Sequence, residues 1–137
     1  MSEARTPTTA LAGLCVRDCM HPGVLTCAAD DSLRDVAAIM AGHRVHAVVI
    51  TSHTGDRALG VVSDLDVVAA VASRTDCTAH QAGATETLIV SADTPLEAAA
   101  QLMNEHGVSH LVVIDPQGRY PVGVLSSLDV AEAYAQS

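Results

Sequence analysis

Two hydroxyl–carboxylate pairs stand out among the side chains able to do chemistry. Ser63 is followed three residues later by Asp66, and Ser126 by Asp129, in the stretches Gly60-Val61-Val62-Ser63-Asp64-Leu65-Asp66 and Gly123-Val124-Leu125-Ser126-Ser127-Leu128-Asp129. In each, an apolar run stops at the hydroxyl and an Ala/Val-rich segment follows the acid, which is the pattern of a strand running into the first turn of a helix. The first N–H groups of such a helix have no partner within it and attract anions. A Ser and an Asp at that place have the chemistry to hold the phosphate and the ribose diol of a nucleotide. They also have the chemistry of a helix cap, although Glu or Gln is the usual third-position partner of a capping Ser. The two roles are compatible, and recurrence of the pair at matched positions favours a ligand.

Other reactive side chains carry less. His46 and His110 fall in apolar strand-like blocks near where a phosphate would lie, with a strand histidine bonded to backbone as the alternative. His43 and His106 are expected at helix C-termini, where an imidazole suits the dipole. Cys15-x-x-x-Cys19-x-His21, with His80 as a distant fourth ligand, invites a zinc reading. The spacing is not that of a zinc ribbon, and buried Cys is the commoner outcome, so neither a metal nor a redox role is assigned. No Gly-x-Ser-x-Gly elbow, P-loop or dinucleotide fingerprint occurs, so no catalytic residue is assigned and the chain is not read as an enzyme.

The elements that must position these groups come in two sets. A short helix is expected over 11–20, a strand over 24–27 and a helix opened by Asp31-Ser32 and running to about His43. Strands over 45–51 and 59–63 and a helix over 64–73 complete the first set. A polar linker over 74–78 separates it from the second. There, strands are expected over 87–90, 108–114 and 122–126, and a helix over 127–135. A further helix begins at Thr94-Pro95-Leu96-Glu97, a capping box with Pro at the first helical position. The sets are copies at a constant offset: Asp129 lies 63 residues after Asp66, and Leu33, Met40, His43, Val45 and Gly60 match Leu96, Met103, His106, Val108 and Gly123 in the same way. Met40 and Met103 are core fillers. Each unit reads β-α-β-β-α and has too few strands to cover both faces of its sheet, so the two must pack together about a pseudo-twofold. The expected organisation is a lead-in over 1–10, repeat 1 over 11–73, a linker over 74–78 and repeat 2 over 79–137, together one globular α/β domain.

Bulk properties limit the partners. The 137 residues carry a net charge of −9, which argues against a nucleic-acid backbone or an anionic membrane. All seven basic residues are Arg, so any phosphate contact would use the guanidinium fork. Two Tyr are the only aromatics, leaving Val, Leu, Ile, Ala and Met to build the core. No apolar run is long enough to span a bilayer, the first residues lack the apolar region of a secretion signal, and the four cysteines show no pairing pattern. A cytoplasmic location is expected.

Two β-α-β-β-α units, each ending in Gly-apolar-x-Ser-x-x-Asp before a helix, resemble a tandem pair of cystathionine-beta-synthase (CBS) domains, a Bateman module. The resemblance runs from about Val16 to Ala135. Val108-Ser109-His110-Leu111-Val112-Val113-Ile114-Asp115 resembles the family's second-strand block, and Val45-His46-Ala47-Val48-Val49-Ile50 is its counterpart. The family often has Pro where this chain has Val112 and Val49. What the resemblance implies is a regulatory module binding adenosyl ligands (AMP, ADP, ATP or S-adenosylmethionine) in clefts between the halves, with no cofactor. Asp66 and Asp129 would then accept from ribose hydroxyls, and Ser63 and Ser126 would face phosphate. Val45, His46, Ala47, Val108, Ser109 and His110 would line the base and phosphate region with Val61 and Val124. It further implies a homodimer with up to four clefts. The signal is expected to pass to a separate effector protein. The alternative is a dimerisation and interaction module with no bound nucleotide.

Overall fold

The computed structural model describes residues 11–83, 89–118 and 120–137. The lead-in expected over 1–10 and the first residues of the strand expected over 87–90 lie outside these.

Two small sheets form, and the 63-residue offset governs both. In the first, β2 (Thr26–Ala28) runs parallel to β3 (Ala47–Thr51), and β3 pairs antiparallel with β4 (Ala58–Ser63). In the second, β5 (Ile89–Ser91) runs parallel to β6 (His110–Ile114), which pairs antiparallel with β7 (Pro121–Ser126). The registers agree residue for residue. Thr26 faces Val49 as Ile89 faces Val112, and Ala47 faces Ser63 as His110 faces Ser126. Even the irregularity in the antiparallel ladder recurs, between Ile50 and Thr51 and between Val113 and Ile114. A fourth strand, β1 (His21–Pro22), adds antiparallel to β7 at the edge of the second sheet.

Helices α2 (Leu33–His43) and α3 (Asp64–Ser73) cover the first sheet, and α5 (Leu96–His106) and α6 (Ser127–Ala135) the second. Their apolar residues fall on one face at helical spacing: Leu33, Val36 and Met40 on α2, and Leu96, Ala99 and Met103 on α5, all buried. Each helix-side core is completed by inward strand residues, Val48, Ile50 and Val62 in one and Leu111, Val113 and Leu125 in the other. Strand alternation puts Val49 and Val112 on the opposite faces. Both are fully buried, so those faces are covered as well.

One-turn helices are exchanged between the halves. Val16 of α1 (Val16–Cys19) belongs to the core of the second half, while Ala79 of α4 (Ala79–Ala82) belongs to that of the first. The backbone bonds that fix them are copies. Leu33 N–H donates to the Cys77 carbonyl and Ala79 N–H to that of Asp31, just as Leu96 N–H donates to Leu14 and Val16 N–H to Thr94.

This exchange explains where local reading of the sequence departs from the structure. The helix expected over 11–20 is only Val16–Cys19, because Gly13 has φ +84° and Cys15 is extended in a bridge to Pro95. The expected Thr94–Glu97 capping box does not form: Pro95 is itself the N-cap, without a side-chain cap, and the Leu14 carbonyl takes up the Leu96 N–H. The segment read as a polar linker ends in Thr78, which caps α4 by accepting from Gln81 N–H. The strands expected from 45 and 108 begin at Ala47 and His110, since the chain first turns through left-handed Arg44 and Gly107. The first strand, expected over 24–27, is Thr26–Ala28.

Candidate functional site

The Ser-x-x-Asp corners form as helix starts in both halves. Ser63 N–H donates to Asp66 Oδ2 at 2.7 Å, and Ser126 N–H to Asp129 Oδ2 at 2.8 Å. In return Ser63 Oγ accepts from Asp66 N–H and Ser126 Oγ from Asp129 N–H. Asp can serve here because the extended Ser turns its own N–H towards the third helical position. Beyond this shared geometry the corners differ.

The second corner opens onto a cleft of about 400 Å³ between the halves, within the range of small-molecule sites. Val24, Leu25, Val45 and Ala47 from the first half and Val124 from the second make it largely apolar, and Ser126 is on its wall. Arg44, His46, His21 and His110 supply polar groups. Local folding explains their positions. Helix α2 ends on Arg44 at φ 55°, which swings Arg44, Val45 and His46 to the cleft before β3 begins. The register of β6 on β7 sets His110 opposite Ser126. A Cβ at Gly123 would lie 2.5 Å from the His21 carbonyl oxygen, so only Gly lets β1 approach β7 and bring His21 to the wall.

Asp129 stands directly behind Ser126 and is 3% exposed. Its Oδ1 lies 3.0 Å from His21 Nδ1, which donates to it, so both carboxylate oxygens are engaged. His46 Nδ1 donates to Asp64 Oδ2 at 3.0 Å, and His110 Nδ1 lies 3.0 Å from Ser109 Oγ. Burial pushes the His110 imidazole below its ordinary value, and His46 adds to this, while Asp64, Asp129 and Asp66 act the other way.

Of the residues singled out from sequence, the cleft gathers Val45, His46, Ala47, His110, Val124 and Ser126, with Asp129 behind them. Val61, Ser63, Asp66, Val108 and Ser109 are not part of its wall; Asp66 borders a separate, shallower depression with Ser73 and Gln81. By the 63-residue offset, the counterpart cleft would include positions 84–88, which lie outside the described residues. Sequence reading missed His21 to Leu25 and Arg44. His43 and His106 are a matched pair, each donating from Nδ1 to the carbonyl four residues back, Ile39 and Leu102.

Cys19 and Cys27 are not activated thiols. Burial, helped by Asp31, pushes Cys27 up to about 11, and Cys19 is raised by burial and then by Asp18 and Asp129. Among the described residues, no three His, Cys, Asp or Glu side chains stand close enough to hold a metal ion. None of the helices there is long and apolar enough to cross a membrane.

A repeated fold with a cleft at its internal twofold defines a class, and comparison with known proteins agrees. The CBS domain family matches residues 16–73 and again 84–136, and the chain belongs to that family as a tandem pair of CBS domains. No curated protein matches it in sequence. Among solved structures, it is similar to the CBS domain pair of protein MJ0100 in complex with 5′-methylthioadenosine and S-adenosyl-L-methionine. That likeness has a TM-score of 0.82 at 21% identity and covers 90% of this chain and 97% of the other. The CBS domain protein PAE2072 from Pyrobaculum aerophilum, complexed with AMP, has a TM-score of 0.78 at 27% identity, over 90% of this chain and all (100%) of that one. CBSX2 in complex with AMP has a TM-score of 0.74 at 25% identity, over 90% and 98%.

Proposed function

We propose that this CBS pair is a cytoplasmic regulatory module, without catalysis of its own, whose cleft binds an adenosyl ligand: AMP, ADP, ATP or S-adenosylmethionine. The observation that carries the reading is the cleft itself, an apolar slot between two halves with the Ser126 corner of α6 on its wall. The base would lie against Val24, Leu25, Val45 and Val124. Ser126 and the first N–H groups of α6 would meet the phosphate. The ribose diol would donate to Asp129, displacing His21, whose side chain is 74% exposed and can swing away at little cost. Ser63 and Asp66, with Val61, Val108 and Ser109, would play the same parts in a second site. AMP bound to PAE2072 and to CBSX2 supports this assignment.

Because the wall comes from both halves, a ligand that binds one relative arrangement better shifts the equilibrium towards it, and a separate effector protein would read the result. Thermal unfolding with AMP, ADP, ATP and S-adenosylmethionine tests the reading. A ligand bound only by the native state raises Tm, by about 2.7 kcal/mol of stabilisation at a hundredfold its Kd. No shift at millimolar concentration would leave the alternative, an interaction module with no nucleotide, which the full engagement of Asp129 favours.

We also propose a homodimer. Leu65, Val68 and Val71 on α3 and Leu128 and Tyr134 on α6 are large apolar side chains left exposed at repeat-equivalent faces. A second copy would cover them. Sedimentation should give a dimer, converted to monomer by Leu65→Glu together with Leu128→Glu; a wild-type monomer would refute the idea.

A further inference from the structure

The cleft wall has a charge character opposite to that of the chain. The protein has 16 acidic residues against 7 basic and a net charge of −9. Yet the described residues lining the cleft include one Arg and three of the seven His, and no Asp or Glu. The carboxylates bonded to wall residues are occupied by them, Asp129 by Ser126 N–H and His21, and Asp64 by His46. Arg44 is the group of fixed charge on the wall, and it is held there at a conformational cost. It caps α2 at φ 55°, in the left-handed region, while the equivalent cap of α5 at φ 63° is Gly107, the residue suited to that backbone. Arg74 caps α3 in the same left-handed conformation, so it is the place of Arg44 on the cleft wall, and not its backbone, that sets it apart.

We infer that Arg44, with the histidines beside it, makes this cleft selective for an adenosine ligand with an anionic 5′ substituent, a nucleotide phosphate, over one with a neutral thioether or a cationic sulfonium at that position. The inference rests on the adenosyl-ligand reading and decides among its members. A phosphate gains a charge-assisted, two-pronged contact with the guanidinium and a thioether gains nothing from it, while a sulfonium is repelled but the methionyl carboxylate beyond it is attracted, so the thioether is the cleaner comparison. The 63-residue offset sharpens the point, because it puts Gly107 where repeat 1 has Arg44, Glu86 where it has Gly23 and Ala84 where it has His21. The fixed positive charge of Arg44 is therefore a property of this cleft and not of the repeat.

Isothermal titration of the full chain with AMP, 5′-methylthioadenosine and S-adenosylmethionine tests this, since the three share the adenosine and differ at the 5′ substituent. AMP should bind at least about tenfold more tightly than the other two, a difference of ~1.4 kcal/mol. Arg44→Gly should remove most of that preference by weakening AMP far more than 5′-methylthioadenosine, with Tm equal to or above wild type because Gly fits the left-handed cap. Arg44→Lys should keep part of it. Equal affinities in the wild type, or an unaltered preference in Arg44→Gly, would overturn the inference and leave the adenosyl cleft standing. Absence of binding by all three compounds would overturn both.

Discussion

The two Ser-x-x-Asp corners share one sequence pattern, one backbone register and one capping geometry, yet their surroundings differ. Asp129 is buried and holds His21 with the oxygen its cap bond leaves over. Asp66 is half-buried, and both of its side-chain bonds go to Ser63. Duplication copied what the backbone decides locally: strand end, extended cap, first helical turn. It did not copy what another element brings to the corner. His21 reaches Asp129 because β1 crosses the edge of β7, and that contact depends on Gly123 and on the exchange of the N-terminal segment onto the second half. Each corner is thus half repeat and half neighbour.

The largest effect should come from removing the acids. Asp129→Ala leaves the half-buried Ser126 N–H and the His21 Nδ1–H without their buried acceptor, and should cost about 2–3 kcal/mol of stability. Asp66→Ala removes the same cap where water can replace it, and should cost roughly 1 kcal/mol. Urea unfolding of the two variants measures the gap. Equal losses would mean that burial of Asp129 contributes nothing and that the corners are energetically one device.

The exchanged helices offer a second comparison. Val16 and Ala79 are repeat equivalents, each with no exposed surface, but Val16 fills more of its core. Val16→Ala makes the two positions alike and should cost about 1.5–2 kcal/mol, from two buried methyl groups and the cavity they leave. If hydrogen exchange then rises across β6 and β7 and not across β3 and β4, α1 is a working part of the second core. A loss spread equally over both sheets would contradict the exchange.

How far this could be read from sequence follows from the same division. The repeat, the strand–helix corners and the matched histidines His43 and His106 are visible because each depends on residues close together in the chain. Helix α3 has the bounds expected of it, Asp64–Ser73, and α6 likewise, Ser127–Ala135. Strand β1 is two residues long and contains Pro22, so it carries no periodic signal. Helix α4 is a single turn held by the other half's backbone, and at the start of α5 the N-cap is Pro95, with the Leu14 carbonyl accepting the Leu96 N–H. Arg44 did leave a trace: aligned with Gly107, it is a bulky residue where the repeat wants Gly. His21 left none, for nothing near it in the chain points to Asp129.

The smallest predicted effect sharpens the comparison at its centre, where β3 and β6 start. Their first residues are the equivalents Ala47 and His110, so one half sets an imidazole where the other has a methyl. His110 is surrounded by His46, Asp64, Asp66 and Asp129 from both halves, with Ser109 on its Nδ1. Burial, the leading cause, holds its folded-state affinity for protons below the ordinary value of 6.5. Between the folded and ordinary values the unfolded chain binds more protons than the native one, so stability rises with pH through that window. The contribution of His110 is therefore complete above about pH 7 and declines as the pH falls below its ordinary value. Unfolding measured from about pH 8 to pH 5 should show wild type losing stability on acidification, and His110→Ala, which restores the residue of the equivalent position, losing less. A steeper loss in His110→Ala would mean that the surrounding carboxylates, and not burial, govern this imidazole, and that its protonation holds the halves together.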